Sequence, residues 1–347
     1  MIKLNLNQNQ FSDFLNITNN VFLPLKNYVN NKEYLSILNN YKLKNKFFPF
    51  PILFGLRKKE FIKIKNCKYI TLYYKKKKIC LINNLNFFEI NKSIYGRKIF
   101  GLRFQTHPYF IEFKKNHKFM SFDICKIYKL KISNNIFISP KDFIKKLNKK
   151  YIGKLVAFHT RNVPHTAHQW IHNYLYKKKN NLLIQPLIGQ YKSGEYKDKV
   201  IIKLNKLASK LTNRRRIFVI PFFSYPRYGG PREAALHAIV RKNFGCKYIW
   251  IGRDHAGYKN FFKKYESQIF CKKKQYNLGI NIIAEKEPYF CKIKKMIVNK
   301  CDCIQNNCKI LISGSKIRSF LKISKKIDKI YMSKDISKHL NKKSLVK

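Results

Sequence analysis

The stretch that decides the fold is Leu155-Val156-Ala157-Phe158-His159-Thr160-Arg161-Asn162-Val163-Pro164-His165-Thr166-Ala167-His168. Its first four residues are an apolar run that reads as a buried strand, and the polar residues behind it open a predicted helix over 165–177. An arginine, an asparagine and histidines three apart therefore gather where a strand hands over to a helix. Backbone N–H groups and the helix dipole favour anions at such a junction, and these side chains add donors and positive charge. The junction fits a nucleoside triphosphate. Asn162 is placed to cap the helix, and Pro164 suits its first turn. His165, His168 and His172 share one helix face. A metalloprotease reading of His168-Gln169-Trp170-Ile171-His172 fails, because Gln169 stands where the glutamate base is needed.

Outward from this stretch the rhythm repeats. Apolar strand candidates at 155–158, 182–184, 217–221, 248–251, 280–284 and 309–312 alternate with helical segments at 165–177, 232–244 and 315–321. Alternation of this kind predicts an α/β domain with a parallel sheet covered by helices. Ligands of such sheets bind beyond the carboxyl ends of the strands, where the polar motifs fall. Before about residue 150 the pattern differs. Short β-rich runs at 69–74 and 79–82, and a helix over 27–40, predict a β-rich domain with a helical start.

Three further clusters lie at strand ends or turns. Gly252-Arg253-Asp254-His255-Ala256-Gly257 follows a buried strand, and its glycines allow close backbone approach to a ligand. Pro226-Arg227-Tyr228-Gly229-Gly230-Pro231-Arg232-Glu233 brings two arginines to a loop before a helix. Ser313-Gly314-Ser315-Lys316-Ile317-Arg318 is a Gly turn followed by a helix carrying two cations.

The chain has 347 residues and a formal net charge of +57, whose first reading is nucleic acid or an anionic membrane surface. Lys, Asn, Ile, Phe and Tyr are inflated together along the whole length, so composition bias is preferred to a dedicated nucleic-acid function. The 12 arginines behave differently: nine fall between Arg161 and Arg318, and six of the nine histidines between His159 and His255. That interval is where guanidinium forks and imidazoles are concentrated. Nine scattered cysteines and no secretory signal predict a reducing cytoplasm. No run approaches the ~18 apolar residues of a membrane span. Neither a phosphate-loop motif nor a G-x-G-x-x-G fingerprint is present, which argues against a fused kinase domain.

Taken jointly and in order, these motifs resemble the ATP sulfurylase (sulfate adenylyltransferase) family. That family's Q-T-R-N-x-x-H-x-x-H is matched by His159 to His168, and its G-R-D-H-A-G by Gly252 to Gly257. Its R-Y-A-G-P-R-E-A is matched by Arg227 to Ala234, with Gly230 for Ala, and its I-S-G-[ST]-x-x-R by Ile312 to Arg318. Pro186-Leu187-Ile188-Gly189 with Lys192, and Phe22-Leu23-Pro24-Leu25 with Tyr28, resemble two more of its segments. The resemblance implies a PUA-like β-rich domain over 1–150 and a Rossmann-like nucleotidylyltransferase domain of the HxGH type over 151–310. A short segment over 311–347 would close the site.

The implied reaction joins ATP and sulfate into adenosine 5′-phosphosulfate and pyrophosphate, or runs in reverse to make ATP. The resemblance assigns catalysis to Thr160, Arg161, Asn162, His165 and His168, and sulfate binding to His159, Arg161 and Ala256. ATP would be held by His159, Thr160, Arg161, Asn162, Gly252, Arg253, Asp254, His255 and Met296. Mg²⁺ would enter on the triphosphate, and relatives of this kind self-associate. Rival readings are another nucleotidylyltransferase of the superfamily, a decayed homologue, and an RNA-binding protein.

Two departures stand out. His159 replaces the family's Gln; a neutral imidazole donates one hydrogen bond and an imidazolium adds charge, so sulfate binding is expected to survive with an altered pH dependence. Lys259 replaces a glycine. Cys291, Cys301 and Cys303 fall where some relatives carry a metal-binding cluster, but Lys294 stands near the expected second Cys of a C-x-x-C. Three thiolates with a fourth ligand such as Cys308 could hold zinc; thiols without metal are the preferred reading.

Overall fold

The computed structural model describes every residue except 1, 131, 134, 148–150, 152–153, 180, 190–192, 213, 215, 304–305 and 347. Lys192 of the segment after Gly189 lies outside the described residues. In chain order the first half forms β1 (Ile2–Asn5), the hairpin strands β2 (Lys42–Leu43) and β3 (Lys46–Phe47), β4 (Phe54–Leu56), β5 (Ile70–Tyr74), β6 (Lys77–Phe88) and β7 (Lys118–Ile127). These make a sheet of order β1-β5-β6-β7-β4, antiparallel except where β1 joins β5. The helical start expected over 27–40 is confined to Asn31–Asn40, where Asn30 and Glu33 cap each other's backbone in a capping box.

The second half forms β8 (Leu155–Thr160), β9 (Leu182–Ile188), β10 (Ile217–Val219), β11 (Phe222–Phe223), β12 (Cys246–Trp250) and β13 (Asn281–Ile283). Its sheet runs β10-β9-β8-β12-β13, and every pair is parallel. β9 is buried along its whole length, as a strand covered on both faces must be, and so reads as a nearly continuous apolar run. The strand order reverses between β8 and β12. Beyond their carboxyl ends lies the switch-point crevice where sheets of this type take ligands. One expectation fails here. Residues 309–312 do not join this sheet: β16 (Lys309–Ile310) pairs antiparallel with β14 (Tyr289–Cys291), which also pairs with β15 (Met296–Val298).

The two halves share one hydrophobic core. The helix Gly230–Asn243 is buried almost all round, wedged between the parallel sheet and the first half. Arg232 donates to the carbonyls of Leu38 and Pro49 at 2.8 and 3.2 Å, and Asn243 to those of Val21 and Leu23 at 3.0 and 2.9 Å. Asp13 on the helix Gln8–Thr18 pairs with the buried Arg227, whose guanidinium stacks 4.1 Å from the Tyr225 ring. Among the described residues no helix is long and apolar enough to cross a membrane.

Candidate active site

A cleft of about 220 Å³ opens at the switch point. From β8 and the loop behind it come His159, Thr160, Arg161 and Asn162; from the loop after β12 come Gly252, Asp254, His255 and Ala256. His168 reaches it from the helix Thr166–Lys179, and Glu233 and His237 from the helix Gly230–Asn243. A larger cavity of about 1220 Å³ lies elsewhere, lined by Phe11, Leu15, Ile79 and Ile202 with a rim of lysines. Size does not locate the chemistry here; the clustered imidazoles, arginine and polar strand ends do.

The local fold explains each placement. Thr160 accepts the Asn162 backbone N–H on its hydroxyl at 3.0 Å, which turns the chain sharply off the end of β8. Asn162 does not cap the helix as expected. Helix Thr166–Lys179 begins later, and His165 caps it by accepting the His168 backbone N–H on Nδ1 at 3.2 Å. Asn162 instead accepts on Oδ1 from Arg318 at 2.5 Å, and its side chain packs on Gly314. The Ser313–Arg318 turn is thereby tied to the floor of the cleft, with Ser313 capping its own helix through the Lys316 N–H. The Arg161 guanidinium lies 5.1 Å from the Tyr228 ring and, among the described residues, forms no ion pair. Ala256 holds a φ of 58°, and its carbonyl accepts the Gly230 N–H at 3.0 Å, which joins the two Gly-containing loops.

Not every expected residue lines the cleft. His165 is buried behind it, its ring stacked 3.7 Å from that of His168. Arg253 pairs with Asp254 at 2.8 Å and Glu287 at 2.6 Å. Met296 sits half exposed on β15. Three residues were missed. Glu233, His237 and Arg241 recur every four residues on one face of a helix otherwise rich in Ala, Leu, Ile and Val, a spacing that could have marked them. His237 Nδ1 and His255 Nε2 lie 3.1 Å apart. Lys259, in the position of a family glycine, adopts a φ of 45°, the left-handed backbone that glycine takes without cost.

Burial favours the neutral form of the histidines at the start of the helix Thr166–Lys179. Burial holds His168 and His172 down to about 3, and burial followed by the neighbouring His168 and His172 holds His165 well below its usual value. Such a group, neutral when folded but ionising near 6.5 when unfolded, stabilises fully above about pH 6.5. As pH falls from there toward about 3 the unfolded chain binds the extra proton, and each histidine removes up to about 1.4 kcal/mol per pH unit. Urea unfolding at pH 7 and 5 should show this loss, and His172→Phe, against the Phe158 ring it already touches, should make it shallower. An unchanged slope would mean that His172 is charged in the fold.

Four thiols gather beside β14: the sulfurs of Cys291, Cys301, Cys303 and Cys308 all lie within 4.8 Å of one another. Cys291 and Cys303 stand 3.6 Å apart, as do Cys301 and Cys308. Zinc–sulfur bonds of about 2.3 Å in a tetrahedron put sulfurs about 3.8 Å apart, so the cage fits that ion. The Lys294 N–H also donates to Cys291 at 3.4 Å, and the Tyr289 hydroxyl to Cys301 at 3.1 Å. Lys294, which breaks the C-x-x-C, thus contributes its backbone and not a ligand.

A doubly wound sheet with two polar loops converging at its switch point, joined to a β-rich partner, defines an α/β nucleotidyltransferase. A family model described as ATP-sulfurylase matches residues 134–343, and one described as PUA-like domain matches 1–121. The chain belongs to the ATP-sulfurylase family. It is 28% identical to the sulfate adenylyltransferase of Ignicoccus hospitalis, over 97% of this chain and 89% of that protein. With the enzyme of the same name from Staphylothermus marinus it shares 30% identity over 89% and 82%. Among solved structures, the hexameric APS kinase from Thiobacillus denitrificans matches with a TM-score of 0.70 at 12% identity. That match covers 97% of this chain and 62% of the other.

Proposed function

We propose that this chain transfers an adenylyl group between pyrophosphate and sulfate: ATP and sulfate give adenosine 5′-phosphosulfate and pyrophosphate, reversibly. A sulfate oxygen forms a bond to the α-phosphorus as the bond to the β-phosphate bridging oxygen breaks, and the electron pair leaves on pyrophosphate. The observation that carries this reading is the convergence of Arg161 with His159, His255 and Ala256 on one cleft. Bringing a dianion within ~4 Å of a phosphate charge costs about 2 kcal/mol in water and roughly 8 at an effective dielectric of 20. Cations and N–H donors must offset that repulsion, and sulfate needs no base.

In this reading Arg161 grips sulfate beside the Ala256 N–H. Asn162, held by Arg318, orients the α-phosphate next to Thr160. His168, with His165 behind it, donates neutral N–H groups toward the departing pyrophosphate. Gly252, Asp254 and His255 form the nucleotide wall, with Arg253 outside the cleft holding Asp254. Mg²⁺, carried in on ATP, would supply charge neutralisation at the phosphates. Sulfate-dependent pyrophosphate release from ATP is the test: release without sulfate dependence would point to another acceptor, and no release to a decayed homologue.

The thiol geometry supports a second assignment, a structural zinc held by Cys291, Cys301, Cys303 and Cys308 that clamps β14 to β16 and the loop between β15 and β16. Protein purified without chelator should carry one zinc per chain by elemental analysis, and Cys308→Ser should lose it and open this hairpin to protease. Metal-free protein with an equally resistant hairpin would remove the zinc. The other cysteines, also outside any disulfide, suit a reducing compartment such as the cytoplasm, and self-association is expected.

A further inference from the structure

We infer that Arg241 is a positioning residue that locks His159 as a neutral, single-tautomer hydrogen-bond donor in the cleft; this rests on the sulfate reading of the site only for its kinetic consequence. Arg241 is fully buried on the helix Gly230–Asn243, and its Nη2 lies 2.6 Å from Nδ1 of His159. A guanidinium has five N–H donors and no acceptor, so His159 Nδ1 must offer its lone pair. The ring proton then resides on Nε2, on a ring that lines the cleft. The imidazole thereby presents a single N–H to the cleft.

The surroundings make the arrangement permanent. Among the described residues Arg241 has no ion pair; it contacts the His237 carbonyl at 3.3 Å and stacks 4.7 Å from the Phe222 ring. Burial pulls its guanidinium down to about 9, which leaves it charged at neutral pH. Protonating His159 would set an Nδ1–H against the Arg241 N–H and a third cation beside Arg161, Arg241 and the rings of His237 and His255, 4.2 and 5.4 Å away. The groups facing His159 are thus Arg161 from its own strand end, His237 and Arg241 from the helix, and His255 from the loop after β12. The two carboxylates of the cleft are engaged elsewhere: Glu233 accepts the Arg227 and Gly229 backbone N–H groups and stands 3.7 Å from His237, and Asp254 pairs with Arg253. If this inference holds, the sulfate KM lacks the pH dependence expected from an ionising His159.

The same contact rules out a cation at the three-histidine cluster. Ligand atoms of His159, His237 and His255 lie within 4.8 Å of one another, but Arg241 already occupies one lone pair of His159 and the other nitrogen carries the proton.

Nitrogen-15 NMR of the histidine-labelled full chain tests this, with His159 assigned by its loss in His159→Gln. The native enzyme should show Nδ1 unprotonated and Nε2 protonated, without titration from pH 5.5 to 9. Arg241→Met should mix the tautomers and raise the sulfate KM about tenfold with little change in the ATP KM, the effect of about 1.4 kcal/mol. Arg241→Lys, which still donates, should recover the native tautomer. A protonated Nδ1 or a titrating His159 in the native enzyme would overturn the inference without either Arg241 variant having to fold. If sulfate proves not to be the substrate, the tautomer still decides this point while the reading of the function fails.

Discussion

Arg161→Ala is expected to lower kcat/KM for sulfate by about a thousandfold with the melting curve unchanged. Arg161 forms no ion pair among the described residues, stacks on Tyr228 at the cleft wall, and sits in a turn held by Thr160. Its removal therefore costs the fold little. In the proposed reaction its guanidinium meets a dianion driven onto a phosphate, and one preorganised donor at such a centre is worth about 10²–10³ in kcat. Loss of ground-state sulfate binding adds to that. Arg161→Lys should fall between the two, since an ammonium keeps the charge but not the planar fork. Steady-state kinetics with sulfate and with ATP varied in turn gives the answer. Equal losses toward both substrates would show that Arg161 shapes the whole cleft and does not grip sulfate.

The second large effect lies far from the chemistry. Asp13→Ala should destabilise the protein by about 3–5 kcal/mol, because it strands the Arg227 guanidinium without its counter-charge in a core that spans both halves. The pair is buried on both sides, and Asp13 also accepts the Tyr225 hydroxyl at 2.8 Å. Arg227 heads the loop that carries Tyr228 and leads into the helix bearing His237 and Arg241. Urea unfolding of Asp13→Ala measures the loss. The double variant Asp13→Leu with Arg227→Leu should recover most of it, since two apolar side chains leave no orphaned charge. A single variant as stable as the parent would mean that water or another carboxylate reaches Arg227.

The parallel sheet was legible because buried strands of this type are short apolar runs, and helix signals fell between them at regular intervals. The run 309–312 misled because two residues of a small antiparallel sheet look the same as a buried parallel strand; only the partners differ. The cap was misassigned for a related reason. Asn162 has the right chemistry, but an arginine 156 residues away claims its side chain, and a histidine, rarely thought of as a cap, takes the position. Arg161, Asn162, His168 and the Gly252–Gly257 loop could be found from local motifs at strand ends. Arg241 could not, since its meaning depends on a contact across 82 residues to a histidine. Cys308 was legible as a candidate fourth ligand, but its approach to Cys291 was not, since it depends on the pairing of β14 with β16.

The most direct measurement is the reverse reaction. Purified protein would be mixed with Mg²⁺, adenosine 5′-phosphosulfate and pyrophosphate, and ATP read by luminescence beside an Arg161→Ala control of matched stability. The account predicts steady ATP formation by the parent and a loss of about a thousandfold in the control. Folded parent protein that makes no ATP, or a control as active as the parent, would contradict it.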